Sequence, residues 1–305
     1  MKRKLTSMFA VLLAGSSMLM VNCGGNSSKS QDDFSIPDSI FDNKPLMISK
    51  EAMNDIIDNI SSPVEMAALL KSSGVPFNQK FLASTQKVDN LNTNFKQALN
   101  LGIYGCDLGY LNMYEKTGSI LNSMTAIKKL ADELRIGQFF DFSTIKRLAT
   151  NNENLDSLMY ISVSSFNNMD EYLRESNRSN ISSLLVTGMW VEGMYLACQV
   201  VKESPRQDII ERIGDSKLVL NDLILILKNY KADAQFANLI KEVEKIKKEY
   251  EGVKITYEMG EPEAIEVDGM LIIKQNDKQI VDVSEETLKN IIKSIEDTRT
   301  MIINL

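Results

Sequence analysis

Apolar positions recur at spacings of three and four along most of the chain, and that pattern predicts helices. Ile120, Met124, Ile127, Ala131 and Leu134 make one stripe, with Gly137 as the expected stop. Leu155, Leu158, Met159, Ser162, Phe166, Met169 and Leu173 make another. Each is the mark of an amphipathic helix hiding one face. Ser62-Pro63-Val64-Glu65 reads as a capping box with proline in the first turn, and Gly74 closes that helix. Further helices are predicted at about 88–115, 179–202, 215–230 and 234–250. The last carries Phe236, Leu239, Val243, Ile246 and Tyr250, a seam of the kind that packs in bundles. No proline interrupts the 128 residues from Phe77 to Ser204.

The pattern changes at Gly252. Val253-Lys254-Ile255-Thr256-Tyr257 alternates like a strand, while Met270–Lys274 and Gln279–Val283 flank Asn276-Asp277 as a predicted hairpin. Ser284 then caps a final helix, with Glu285 and Glu286 in its first turn and Leu288, Ile291, Ile295 and Ile302 on one face. The expected fold is therefore mainly α: a helical bundle over residues 48–252, with a small appendage over 253–305 packed on it. That appendage is expected to hold a hairpin or three strands plus a helix. A three-stranded sheet is only marginally stable alone, so the bundle or the last helix should cover it.

The first 47 residues follow neither period. Met1-Lys2-Arg3-Lys4 is basic, and an apolar run extends from Leu5 to Val21, short for a spanning helix of about 20 residues. Leu19-Met20-Val21-Asn22-Cys23-Gly24-Gly25 follows. A cysteine directly after such a run, followed by small residues, resembles the lipobox of bacterial lipoproteins. Two departures stand out: Asn22 occupies the place of the usual small residue, and Leu19 lies four places before the cysteine rather than three. The resemblance covers about 25 residues. It implies a signal peptide over 1–22, acylation of Cys23 (palmitate among the chains), and a lipidated flexible tether over 23–47. Gly24 after the cysteine implies passage to the outer membrane, on its periplasmic side or exposed at the surface. Gln31-Asp32-Asp33 resembles the acidic export tags of surface lipoproteins in the Bacteroidota.

Charge points the same way. Without residues 1–22 the chain has 31 basic residues against 41 acidic ones, a net charge near −10. Such a surface repels phosphate backbones, so nucleic acid is not an expected partner. Histidine is absent, which removes the Ser-His-Asp triad, the Cys-His pair, the zinc-protease helix and the familiar di-iron bundle site. No Gly-rich phosphate loop is present, and no metal or cofactor is expected. Ser143-Thr144-Ile145-Lys146 and Lys116-Thr117-Gly118 match two motifs of penicillin-binding enzymes, but in reversed order and without Ser-Asp-Asn. Ser143 is better read as a helix cap. Cys106 and Cys198 fall in predicted helices, as buried thiols or as a disulfide.

The least ordinary chemistry lies on two apolar helices. Tyr104, Asp107, Tyr110 and Tyr114 share one helix face near Gly102, Gly105 and Gly109. Glu192 and Tyr195 share a face of another helix beside Gly188 and Trp190. Asp107 and Glu192 are acids in costly surroundings. They read either as a pocket for a small polar or cationic ligand with aromatic walls, or as a satisfied core contact with Arg178 or a tyrosine. The expected role is non-catalytic: a lipid-anchored envelope protein that binds another envelope component or a small ligand. The alternatives are a glycan-cleaving enzyme using Asp107 and Glu192 as acid and base, and a structural subunit of an envelope assembly.

Overall fold

The computed structural model describes residues 63–150, 155–267, 270–274 and 276–305. Cys23 and the segments expected to form a signal peptide and a tether lie outside them. The described residues form one compact unit. Its helices are α1 (Pro63–Ser72), α2 (Asn94–Met113), α3 (Thr117–Glu133), α4 (Phe142–Thr150), α5 (Leu155–Glu175), α6 (Ser179–Glu203), α7 (Gln207–Lys228), α8 (Ala234–Glu249) and α9 (Glu285–Ile303). The fold is mainly α, with a small β portion near the C-terminus.

Several predicted boundaries move, each for a local reason. The helix expected from 88 starts instead at Asn94, because Thr93 accepts from the Lys96 N–H and the preceding Thr85–Asn90 winds as a 3₁₀ turn. The helix expected from 215 begins eight residues earlier, after Pro205. Gly137 does not stop α3. Arg135 does, in the left-handed region at φ 57°, with Leu134 donating back to Leu130. Gly74, at φ 78°, closes α1 as predicted. Ser143 does not cap α4: Asp141 accepts from the Thr144 N–H at 3.0 Å and from the Ser143 hydroxyl at 2.6 Å.

The core is organised around α2 and α6, which contact each other more extensively than any other pair. Two glycines make this possible. A methyl on Gly102 would stand 2.1 Å from the Leu185 carbonyl oxygen, and one on Gly188 would stand 2.1 Å from that of Leu99. The helices therefore meet backbone to backbone. Helix α6 is long and apolar enough to cross a membrane by length and composition alone, yet it lies buried within the body. It is a core helix apolar on nearly all sides. Helices α7 and α9 pack against it, and Ile291, Ile295 and Ile302 of α9 are fully buried in the same core.

The β portion departs from the predicted hairpin. Strand β4 (Lys278–Asp282) pairs antiparallel with β1 (Lys254–Glu258), and β3 (Met270–Lys274) pairs with β2 (Glu263–Val267). The result is two two-stranded sheets, one nested inside the other along the chain, rather than three strands turning at Asn276-Asp277. Asn276 and Asp277 instead tie the two sheets: the Asn276 amide donates to the Glu261 carbonyl, and Asp277 accepts from the Gly260 N–H. The overlooked signal was Asp268-Gly269, a strong hairpin dipeptide, between the paired ends Val267 and Met270. Val281 and Val253 anchor the outer sheet in the core.

Candidate functional site

Helix α2 carries Asp107 and α6 carries Glu192 into the same dry interior, with exposures of 2% and 0%. Their partner is neither Arg178, which donates to the Leu134 carbonyl, nor a tyrosine. It is Arg299 of α9. Its Nε and Nη2 each donate to one Glu192 carboxylate oxygen at 2.7 Å, and Nη2 also reaches the Phe81 carbonyl at 3.0 Å. The Tyr195 ring lies beneath the guanidinium, its centroid 3.9 Å away. Bidentate geometry, with a further bond to a backbone carbonyl, is what lets an ion pair persist in an interior.

Asp107 completes this network. Its Oδ2 accepts from the Ala83 N–H at 2.9 Å, and no N–H reaches its Oδ1. Burial, followed by the charge of Glu192, holds the Asp107 pKa well above the ordinary carboxylate value. A raised value favours the neutral acid beside the charged Glu192. Burial works against the charge of Arg299, but its hydrogen bonds to Glu192 and the acidic charge around it together outweigh that and raise its pKa. The acids are thus closed from α9 and from the Phe81–Ala83 backbone, with no open cleft between them.

The tyrosines expected as pocket walls are fasteners. Tyr104 donates to the Ser84 carbonyl and Tyr114 to the Val75 carbonyl at 2.8 Å, while the Tyr110 hydroxyl accepts from the Asn78 N–H. Tyr110 packs between Phe77 and Tyr114 with ring centroids 5.6 and 4.7 Å away. Burial pushes Tyr104 and Tyr110 up to about 12. Together they hold the Val75–Ser84 segment against α2. Tyr110 and Tyr114 do not join the carboxylate network.

Trp190 goes elsewhere. It lines a cavity of about 270 Å³ with Met66 of α1, Cys106 of α2, Met189, Gly193 and Met194 of α6, and the α7 stretch from Arg212 to Asp222. Trp190 is only 4% exposed, and its indole Nε1 has no hydrogen-bond partner. Such a buried, unmet donor is rare enough in folded proteins to need a reason. The rim is polar. Asp215 pairs with Arg212 and accepts from Gln279, whereas Asp222 has no partner among the described residues, and partial burial raises its pKa. Cys106 and Cys198 are both buried and unbridged, and burial pushes both thiols up, keeping them protonated. Among the described residues no group of three or more acids or thiols is placed to hold a metal ion.

Arg299 and the cavity lining from α1 and α7 escaped the sequence reading, which names Trp190. Arg299 could have been found: it stands four residues after Ile295 and three before Ile302, on the buried stripe of α9. A cation on that stripe calls for a buried anion. Nothing in the periodicity of α6 and α7 distinguishes residues beside a void from residues packed against neighbours. The chain matches no family model, no curated protein and no solved structure.

Proposed function

We propose that the chain is a lipid-anchored cell-envelope protein, fastened through an acylated Cys23, whose helical body binds a small ligand without transforming it. The observation that carries the binding role is the cavity lined by Trp190, Met66, Met189, Met194 and Cys106, with Asp222 unpaired at its rim among the described residues. Binding sites combine apolar walls with a few polar groups in this manner. Methionine walls suit a binder that adapts to its ligand, because the thioether chain is flexible and polarizable.

The carboxylates support the non-catalytic half of the reading. A glycan-cleaving pair must face a sugar across an open site, at about 5–10 Å separation. Asp107 and Glu192 instead lie buried in the interior, Glu192 gripped by Arg299 and Asp107 bonded to the Ala83 N–H. The anchor rests on the residues from Lys2 to Gly25. Stable hold on a bilayer takes more than one acyl chain, as a multiply acylated N-terminal cysteine supplies.

Trp190 is the chain's single tryptophan, so its emission reports on the cavity alone. Titration of the full chain with the neutral apolar fluorophore N-phenyl-naphthylamine should quench Trp190 saturably, at one site per chain. Palmitate fed to producing cells should appear on the wild-type chain and not on Cys23→Ala. Absence of saturable quenching would overturn the binding role, and an unlabelled wild-type chain would overturn the anchor.

A further inference from the structure

The rim of the Trp190 cavity is electrostatically unbalanced. Arg212, Asp215 and Asp222 are its charged residues, and Arg212 is matched by Asp215 with an N···O distance of 3.6 Å. Gln279 donates to Asp215 as well, leaving that carboxylate well supplied. One negative charge, on Asp222, is left over. Its partial desolvation raises its pKa with no cation to offset the effect. On the outer side, Leu218 is 47% exposed, so the mouth presents an apolar residue next to the free acid. Deeper in, the lining is thioether, thiol and indole, with one donor unsatisfied.

Resting on the binding role proposed above, we infer that the cavity takes a small amphipathic cation: an apolar or aromatic body among Met66, Met189, Trp190 and Met194, and an ammonium group at Asp222. Three properties of the site select this class. The charge left over at the rim attracts a cation and repels an anion. The soft, polarizable walls accept an apolar body. Trp190 in the lining offers an aromatic surface, which suits an aromatic body or a cation. The volume of about 270 Å³ fits a molecule below drug size, since pockets for those begin at about 300 Å³.

The test compares isosteres. The full chain in phosphatidylcholine nanodiscs is titrated with phenethylamine, phenethyl alcohol and phenylacetate, reading Trp190 emission against empty discs. The amine should bind about fivefold or more tightly than the alcohol, with phenylacetate weakest. Asp222→Asn should erase the preference for the amine and leave alcohol affinity unchanged. Its unfolding midpoint should match the wild type, since Asp222 holds no partner among the described residues. Equal affinity for amine and alcohol, or a preference that survives in Asp222→Asn, would overturn the cation while leaving the binding role standing. Failure of the amine and alcohol to bind, with N-phenyl-naphthylamine still quenching, would overturn it too. Failure of N-phenyl-naphthylamine as well would remove the binding role itself.

Discussion

Trp190 and Glu192 lie two residues apart on α6, about 200° around the helix axis at 100° per residue, and meet opposite fates. Toward α9, Glu192 is met by Arg299 and Asp107 by the Ala83 N–H. Toward α7, the Trp190 N–H meets no acceptor and Asp222 meets no cation among the described residues. Each region leaves one buried atom without a hydrogen-bond partner, Asp107 Oδ1 in the first and Trp190 Nε1 in the second, but only the second borders a cavity with an unpaired carboxylate at its rim. Burial of a charged or polar residue therefore says little about function until its partners are counted. On this count the pair of acids is a strut, and the tryptophan side is the socket.

The sharpest way to break that contrast is to remove the strut. Arg299→Met leaves the Glu192 charge buried without a partner, and Glu192→Gln leaves Arg299 so. Each should cost about 3–5 kcal/mol, lowering the unfolding midpoint by roughly 10 °C in calorimetry. A loss below about 1 kcal/mol for both would mean the network is not structural. Next comes the helix contact on which both regions hang. Gly188→Ala places a methyl against the Leu99 carbonyl, and urea unfolding should show a loss of about 2–3 kcal/mol.

Asp107→Asn gives a smaller and more discriminating effect. A protonated aspartic acid and an asparagine offer the same donor and acceptor, so the variant should lose less than about 1 kcal/mol near pH 5. The pH dependence has a definite sign. The folded pKa of Asp107 is raised, so its contribution is complete below the unfolded value of about 4 and is lost as pH climbs toward the raised folded value. The wild type should therefore lose stability relative to Asp107→Asn as pH rises above about 4. A gap that stays constant, or moves the other way, would place the proton elsewhere. Smallest of all is Trp190→Phe, which deletes an unmet donor and should change stability by no more than about 1 kcal/mol, measured in the same urea series.

The helical body was legible because burial imposes a period. The stripes at 120–134 and 155–173, the seam of α8 and the capped final helix follow from residue spacing alone. The glycines that bring α2 and α6 together were recognisable as a means of close approach, and Gly102 and Gly188 serve that purpose. Ends of elements were less legible, since a left-handed Arg135 or an Asp141 cap competes with nearby residues that look equally suited. Strand pairing misled because Asn276-Asp277 and Asp268-Gly269 both resemble turns, and which one closes a hairpin depends on partners far along the chain. The two acids were found for the right reason, their apolar surroundings. Their partner was missed because it comes from α9, more than a hundred residues beyond Glu192.

A crystal structure of the chain soaked with phenethylamine tests the division between strut and socket most directly. Density for the amine should lie among Met66, Met189, Trp190 and Met194 with its nitrogen at Asp222, while Arg299 still grips Glu192. Amine density at Asp107 and Glu192, with Arg299 displaced, would contradict the account, as would an empty cavity at saturating amine.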